Sequence, residues 1–308
     1  MAAARGNVIG IKKRASWTSV DEALAGYLFV LPMLIGITVL TIIPILAAIA
    51  ISFTDWNFIS GFSNVNFVGI EHFARLLEDE KFMKSLLNNL LLLIAVPVTM
   101  ALSLLIAVVI NKQVYFKDLF KVIYFMPYIS SVVAISIVWQ LLFHPSHGPI
   151  NSFLMGIGIH NPPRWMADPD FALISIMLIM IWISIGFNLV IYMAGLQNIP
   201  RDLYEAASID GANALVQFRK ITLPMLSPTS FFLLVTGVIA TFKVFDLIMV
   251  LTGGGPAYST SVINYYIYEV AFEDLKSGYA SAMSLVLLLC VLAVTLLQWI
   301  GQKRWVNY

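Results

Sequence analysis

Charge is what this sequence has least of. Only 11% of its 308 residues are Asp, Glu, Lys or Arg, where a soluble domain carries about a quarter. That is too few to coat a water-facing surface. The net charge of +1 gives no electrostatic case for a nucleic acid partner. One cysteine, Cys290, excludes a disulfide within the chain, and in its apolar run it reads as a small hydrophobe. No Gly-x-Ser-x-Gly or His-Glu-x-x-His occurs, so an intramembrane hydrolase has no motif support. A Walker A sequence is missing too, so the chain offers no ATP site of that type. His144-x-x-His147 and His160 lack a carboxylate or cysteine at matching spacing and read as loop residues, not metal ligands.

Apolar residues fill the space instead. They make up 60% of the chain, and the mean hydropathy is +0.88. A bilayer crossing takes ~20 apolar residues. Five charge-free stretches reach that length: Ala25–Phe53, Ser85–Ile110, Val122–Phe143, Phe171–Pro200 and Tyr279–Gln302. A sixth, Met225–Thr252, contains Lys243 and Asp246. The expected fold is therefore an all-α integral membrane protein with six transmembrane helices, because barrel strands would be short and alternating. The first run is too long for a secretory signal core and no small-residue cleavage site follows it, so it reads as a retained helix. With the N-terminus inside, the inner pieces hold Arg5, Lys12, Lys13, Arg14, Lys112, Lys117, Lys121, Arg201, Arg219, Lys220, Lys303 and Arg304. The outer pieces hold only Arg75, Lys81, Lys84, Arg164 and Lys276. That bias places both termini in the cytoplasm. Outside, a short amphipathic helix is expected around Glu71–Leu77.

One inner segment is unlike its surroundings. "EAASIDGANALVQFRKITLP", Glu205 to Pro224, carries Glu205, Asp210, Arg219 and Lys220 between two oily stretches. Asp202-x-x-Glu205 has the spacing of a capping box, Pro200 suits a first turn, and Gly211 supplies a stop in the left-handed conformation. A helix of two to three turns is marginal alone in water, and this one is too polar for lipid. It must lean on something. Ala206 and Ala207 permit close approach, while Leu203 and Tyr204 offer an apolar grip. An ordinary connecting loop with some helix is the plainer reading of the same residues.

Glu-Ala-Ala, three residues, Gly211, then nine residues before Ile221-x-Leu223-Pro224 resembles the EAA loop of membrane subunits of binding-protein-dependent ABC importers. Asn198-Ile199-Pro200-x-x-Leu203-Tyr204 and "VFDLIMVLTGGGPAYSTSVINYYIYEVAF" (Val244–Phe272) resemble the carbohydrate branch, in particular its maltose-permease-type members. The resemblance implies a type I ABC importer-like permease fold, with an N-terminal segment at 1–24, one permease domain at 25–303, the coupling loop at 196–224 and a tail at 304–308. It also implies a sugar substrate and a prokaryotic inner-membrane location. The partners would be a second permease subunit, two copies of a cytoplasmic ATPase that bind ATP and Mg²⁺, and an extracytoplasmic solute-binding protein. This chain itself would bind no cofactor or metal and catalyse no reaction. The coupling residues would be Leu203, Tyr204, Glu205, Ala206, Ala207, Asp210, Gly211, Ile221, Leu223 and Pro224.

The fourth and fifth spans flank that loop, and their middles hold polar groups. Ser184 and Asn188 share a helix face near Phe187 and Tyr192. Thr236, Gly237, Thr241, Lys243 and Asp246 follow on the fifth span. These residues could hydrogen-bond a sugar and give it an aromatic platform, although Ser, Thr and Asn in membrane helices also bond across to neighbours. By resemblance, Ile183, Ser184, Phe187, Gly237, Ala240, Thr241 and Val244 fall at sugar-contacting positions. Lys243 and Asp246 are expected to pair, and as intramembrane charges they are functional candidates. Glycerol-phosphate or polyol substrates, or a self-contained ion-coupled transporter, stand as alternatives.

Overall fold

The computed structural model describes residues 18–57, 59, 61, 65–111, 115–303, 305 and 306. Arg5, Lys12, Lys13, Arg14, Lys112 and Arg304 lie outside the described residues, as does most of the expected 1–24 segment and part of the 304–308 tail. Two compact units divide the chain, Met1–Ala50 and Ile51–Tyr308.

The described residues of the first unit form one long helix that ends just inside the second. α1 (Thr18–Ile37) passes through a π-helical stretch, Thr38–Ile42, into α2 (Ile43–Ile51). Its apolar stretch Glu22–Ile51 is long enough to cross a bilayer.

In the second unit the described elements are all helical. α3 (Glu71–Glu78) is the expected short outer helix. α4 (Glu80–Leu92) and α5 (Ala95–Asn111) together form the second apolar span. α6 (Lys117–Ile129) and α7 (Val132–Leu142) follow, then α8 (Pro149–Gly156) in the outer loop. α9 (Pro169–Gln197) is the long fourth span, and α10 (Arg201–Ile209) and α11 (Ala214–Gln217) make the polar module. α12 (Leu223–Met225), α13 (Ser227–Phe242), α14 (Asp246–Leu251), α15 (Ile263–Tyr268) and α16 (Ser277–Gln302) complete the unit.

Two expected spans are not single straight helices. α6 and α7 meet at 97°, within the expected Val122–Phe143 crossing. Pro127 in the last turn of α6 brings no N–H, and Ser130 turns extended while its hydroxyl takes the carbonyl of Met126 at 2.7 Å. The expected Met225–Thr252 crossing is likewise broken. α13 stops at Phe242, residues 243–245 are non-helical, and α14 begins at Asp246. Lys243 and Asp246 consequently sit at a helix end and a helix start, and among the described residues no ion pair joins them. The expected pairing is corrected by that break. Each charge instead lies at the end of a helix whose dipole it complements.

Among the described residues, three large apolar cores and a smaller one of Val96, Val238 and Phe242 hold the second unit together. Leu104, Ala107, Leu189, Leu196, Leu226 and Leu233 pack α5, α9 and α13 at the module end. Ile135, Ile176, Ile179, Leu247 and Ile248 pack α7, α9 and α14. Leu76, Phe82, Ile263, Tyr279 and Met283 pack α3, α4, α15 and α16.

A polar clasp reinforces that last core. Lys81 Nζ bonds both carboxylate oxygens of Glu269 and lies 4.6 Å and 4.8 Å from the ring centres of Tyr258 and Tyr266. Beside it, Asp79 accepts from the Tyr266 hydroxyl at 2.8 Å, the Tyr279 hydroxyl at 2.7 Å and the Phe82 N–H at 2.9 Å. Burial alone would raise the Asp79 carboxyl, but those donors outweigh it and hold the group below the usual carboxylate range. A depressed folded pKa makes the contribution of Asp79 fully present above the unfolded value of ~3.9 and lost as pH falls through the folded one. Lys81→Met should strand the half-buried Glu269 carboxylate and cost about 2 kcal/mol, between the values for exposed and fully buried pairs. A lower melting temperature in detergent, partly restored by adding Glu269→Gln, is the expected result.

Candidate functional site

A cavity of about 400 Å³ opens where the two broken helices face the middle of α9. Ala95, Val96 and Thr99 of α5 form one wall, and Tyr128 and Val132 flank the α6–α7 bend. Met180, Ile183, Ser184, Phe187 and Asn188 come from α9. Thr236, Gly237, Ala240 and Thr241 of α13 continue the lining through the break to Lys243, Val244, Phe245, Asp246 and Leu247.

The lining polar groups fall into two sets. Thr99, Thr236 and Thr241 spend their hydroxyls on carbonyls of their own helices, Ala95, Phe232 and Gly237, at 2.8–2.9 Å. The side chains of Ser184, Asn188, Tyr128, Lys243 and Asp246 have no hydrogen-bond or ion-pair partner among the described residues. Asn188 is only 8% exposed. The amide lines the cavity and is not one of the fully enclosed polar atoms left without a partner, so a ligand or water can complete it there. Phe187 and Tyr128 stack with ring centres 5.0 Å apart, which gives the same cavity an aromatic wall.

Of the residues read from sequence as the substrate pathway, Ser184, Phe187, Asn188, Gly237, Thr241, Lys243 and Asp246 line this cavity. Tyr192 does not. It lies buried in the α5–α9–α13 core, where its hydroxyl donates to Ser230 at 3.2 Å. Three further lining residues carry no such signal in the sequence: Tyr128 and Val132 reach the cavity through the bend after Pro127, and Thr99 through the packing of α5. The outer His144 serves its own turn, with Nδ1 accepting from the backbone of Ser146 and His147.

At the other end of α9 stands the polar module. α10 has nine residues, about two and a half turns. Gly211 ends it at φ +81°, with its N–H bonded to Ser208 O at 3.1 Å. The expected capping box is not formed. Pro200 is the N-cap and makes no side-chain bond, so Asp202 and Glu205 fall inside the helix, two positions too late for the box. Asp202 still sits in the first turn, where its charge suits the dipole.

One side of the module is anchored. Tyr204 Oη and Thr222 Oγ1 are 2.9 Å apart, and Gln217 Nε2 donates to Ser208 Oγ at 2.9 Å. Tyr204, Phe218 and Ile221 pack on the core that holds Leu196, Ile199 and Leu226. A π-helical stretch, Phe218–Thr222, leads from α11 into α12, with Leu223 exposed and Pro224 half-buried. The opposite side is bare. Leu203, Glu205, Ala206, Asp210 and Gly211 are exposed, Ala207 is half-buried, and Ile209 is 87% exposed. The module therefore grips its own chain with Tyr204 and presents a small, partly apolar helical face to whatever lies beyond.

The comparisons with known proteins agree with this architecture. The family described as "Binding-protein-dependent transport system inner membrane component" matches residues 99–306. The probable ABC transporter permease protein YesP of Bacillus subtilis is 35% identical over 292 residues, 93% of each chain. The lactose transport system permease protein LacF of Rhizobium radiobacter is 34% identical over 286 residues, 91% of this chain and 94% of that one. Among solved structures, a bacterial ABC transporter involved in import of the acidic polysaccharide alginate superposes with TM-score 0.81 at 24% identity, over 94% of this chain and 98% of that one, a likeness of fold. This chain belongs to the binding-protein-dependent transport system inner membrane component family, as a membrane-spanning permease subunit of ABC transporters.

Proposed function

We propose that the chain forms half of the translocation pathway of an ATP-driven importer of sugars or oligosaccharides. A second permease subunit supplies the other half. Two copies of a cytoplasmic ATPase bind ATP and Mg²⁺ below, and an extracytoplasmic solute-binding protein delivers the sugar. Both termini face the cytoplasm of a prokaryotic cell. The chain binds no nucleotide, metal or other cofactor of its own and performs no catalysis.

The observation that carries this reading is α10, a short helix clamped at Tyr204 and bare at Leu203, Glu205, Ala206 and Ile209. It is a coupling helix, seated in a cleft of the ATPase with Ala206, Ala207 and Gly211 allowing close approach. Its base, Tyr204 with Ile221, rests on the core shared by α9 and α13, so ATPase closure reaches the helices that bear the cavity.

In the cavity, the free Ser184 hydroxyl and Asn188 amide bond sugar hydroxyls, and Phe187 with Tyr128 provides the ring platform. Lys243 favours a second reading for the substrate, a phosphorylated glycerol or another anionic compound, because it lines the cavity with no ion-pair partner among the described residues. Asn188→Leu tests the pathway directly. Uptake should fall about ten-fold or more, the loss of one or two good hydrogen bonds, while the protein stays in the membrane in normal amount. Unchanged uptake kinetics would remove Asn188 from the pathway.

A further inference from the structure

α4, the first half of the second span, carries three polar side chains closed off from their surroundings. Ser85, Asn88 and Asn89 are 0%, 1% and 0% exposed. All three are satisfied, Ser85 and Asn88 by the chain that follows the fifth span and Asn89 by that chain and by the fifth span itself. Ser85 Oγ and Ser261 Oγ share a 2.8 Å hydrogen bond. Asn88 Nδ2 donates to the carbonyls of Tyr258 at 3.0 Å and Ser261 at 2.8 Å. These bonds grip the hairpin that runs from Gly253 to Ile263.

Asn89 reaches further. Its Oδ1 accepts the N–H of Ile263, the first residue of α15, at 2.9 Å. Its Nδ2 donates to the carbonyl of Thr241, in the last turn of α13, at 3.3 Å. One partner is an N–H and the other a carbonyl, so the amide has a single orientation that serves both. Thr241 lines the cavity, and within the break the carbonyl of Lys243 is taken by Asn264 Nδ2 at 3.2 Å. A single buried amide thus stands between the hairpin and the broken end of the helix that walls the cavity. The Thr241 carbonyl also takes the Val244 N–H at 3.4 Å, but without Asn89 the Ile263 N–H would be an orphaned polar group in a dry interior, which makes the tie costly to release.

We propose that Asn89 is a positioning residue for transport, tying the 253–263 hairpin to the α13 break so that movement of the hairpin reaches the cavity wall at Thr241. The inference rests on the importer reading above, in which that hairpin lies on the outer side where the solute-binding protein docks. A side chain that only fills space would be replaced well by leucine. One that links two backbones would be replaced well by aspartic acid, because a buried carboxyl is held protonated and offers an O–H to Thr241 O and a C=O to the Ile263 N–H.

The test uses the complete complex purified with Asn89→Leu and, separately, Asn89→Asp. ATP hydrolysis is measured with and without sugar-loaded binding protein, alongside the unaltered complex. Asn89→Leu should lower the stimulation by loaded binding protein about ten-fold, with basal hydrolysis within about two-fold of the unaltered complex, as expected for the loss of two buried hydrogen bonds. Asn89→Asp should retain at least about half of the stimulation. Full stimulation in Asn89→Leu would overturn the proposal, as would equal losses in both variants or failure of both to assemble. If the unaltered complex is not stimulated by any loaded binding protein, the importer reading itself fails, and the proposal with it. Differences between variants on a stimulated background bear on Asn89 alone.

Discussion

Glu205→Lys should leave the protein in the membrane at its normal level and reduce uptake at least about a hundred-fold. Glu205 is exposed on α10 and has no intramolecular partner among the described residues, so nothing in the fold of this chain depends on its charge. Its loss is felt only if the bare face of α10 meets another protein. There, reversal turns a complementary contact into a like-charge one in a desolvated cleft, and such juxtapositions cost several kcal/mol. Gly211→Pro should do the same by another route. Its φ of +81° is closed to proline, and the Gly211 N–H that bonds Ser208 O would be lost. Membrane level and radiolabelled sugar uptake, measured in the same cells, separate the two effects. Wild-type uptake with Glu205→Lys would contradict a docking role for α10.

The second large effect concerns the packing that brings α6 beside the cavity. Gly186 is buried on α9, and a Cβ added there would collide with Tyr124 O and lie 2.7 Å from Phe125 Cα, both backbone atoms of α6. Backbone cannot swing aside as a side chain can, and small residues at helix–helix contacts in membranes allow this kind of close approach. Gly186→Val should therefore cost about 3 kcal/mol or more, the upper part of the range for overpacking, and push α6 off α9. Because Tyr128 and Phe187 stack across that contact, the aromatic wall goes with it. The expected result is a sharp fall in membrane level and melting temperature. A variant with the wild-type melting temperature would mean that α6 and α9 are not held as closely as Gly186 requires.

Much of this was legible in the sequence, for definite physical reasons. Runs of apolar residues have to be helical in lipid, so the spans at Glu80–Asn111, Pro169–Gln197 and Ser277–Gln302 were readable to within a few residues of their ends. Gly211 announced the end of α10, because few other residues take a positive φ at a helix stop. The helix start was legible only to within two residues, since Pro200 and Asp202 both carry start signals and only one can be the cap. Breaks inside apolar runs were harder to read. Pro127 with Ser130 and Ser131 is a break signal within Val122–Phe143, but a run of apolar residues alone does not distinguish a straight helix from two at 97°. At Lys243 no proline or glycine marks the interruption. The side chains that bond the carbonyls there come from far along the chain, Asn89 to Thr241 and Asn264 to Lys243. Asn88 and Asn89 were visible as an amide pair in a greasy span, yet their partners at 241 and 258–263 are set by tertiary structure alone.

The most direct test of the account is isolation of the complex. The chain is tagged, extracted from its native membrane in mild detergent, and the co-purifying proteins are identified by mass spectrometry. The preparation is then assayed for sugar-stimulated ATP hydrolysis. A permease subunit of a sugar importer should bring with it a second permease subunit, an ATPase and a solute-binding protein, with hydrolysis that rises when the binding protein carries its sugar. Recovery of the chain alone or as a homo-oligomer, under conditions where other membrane complexes survive, would contradict it.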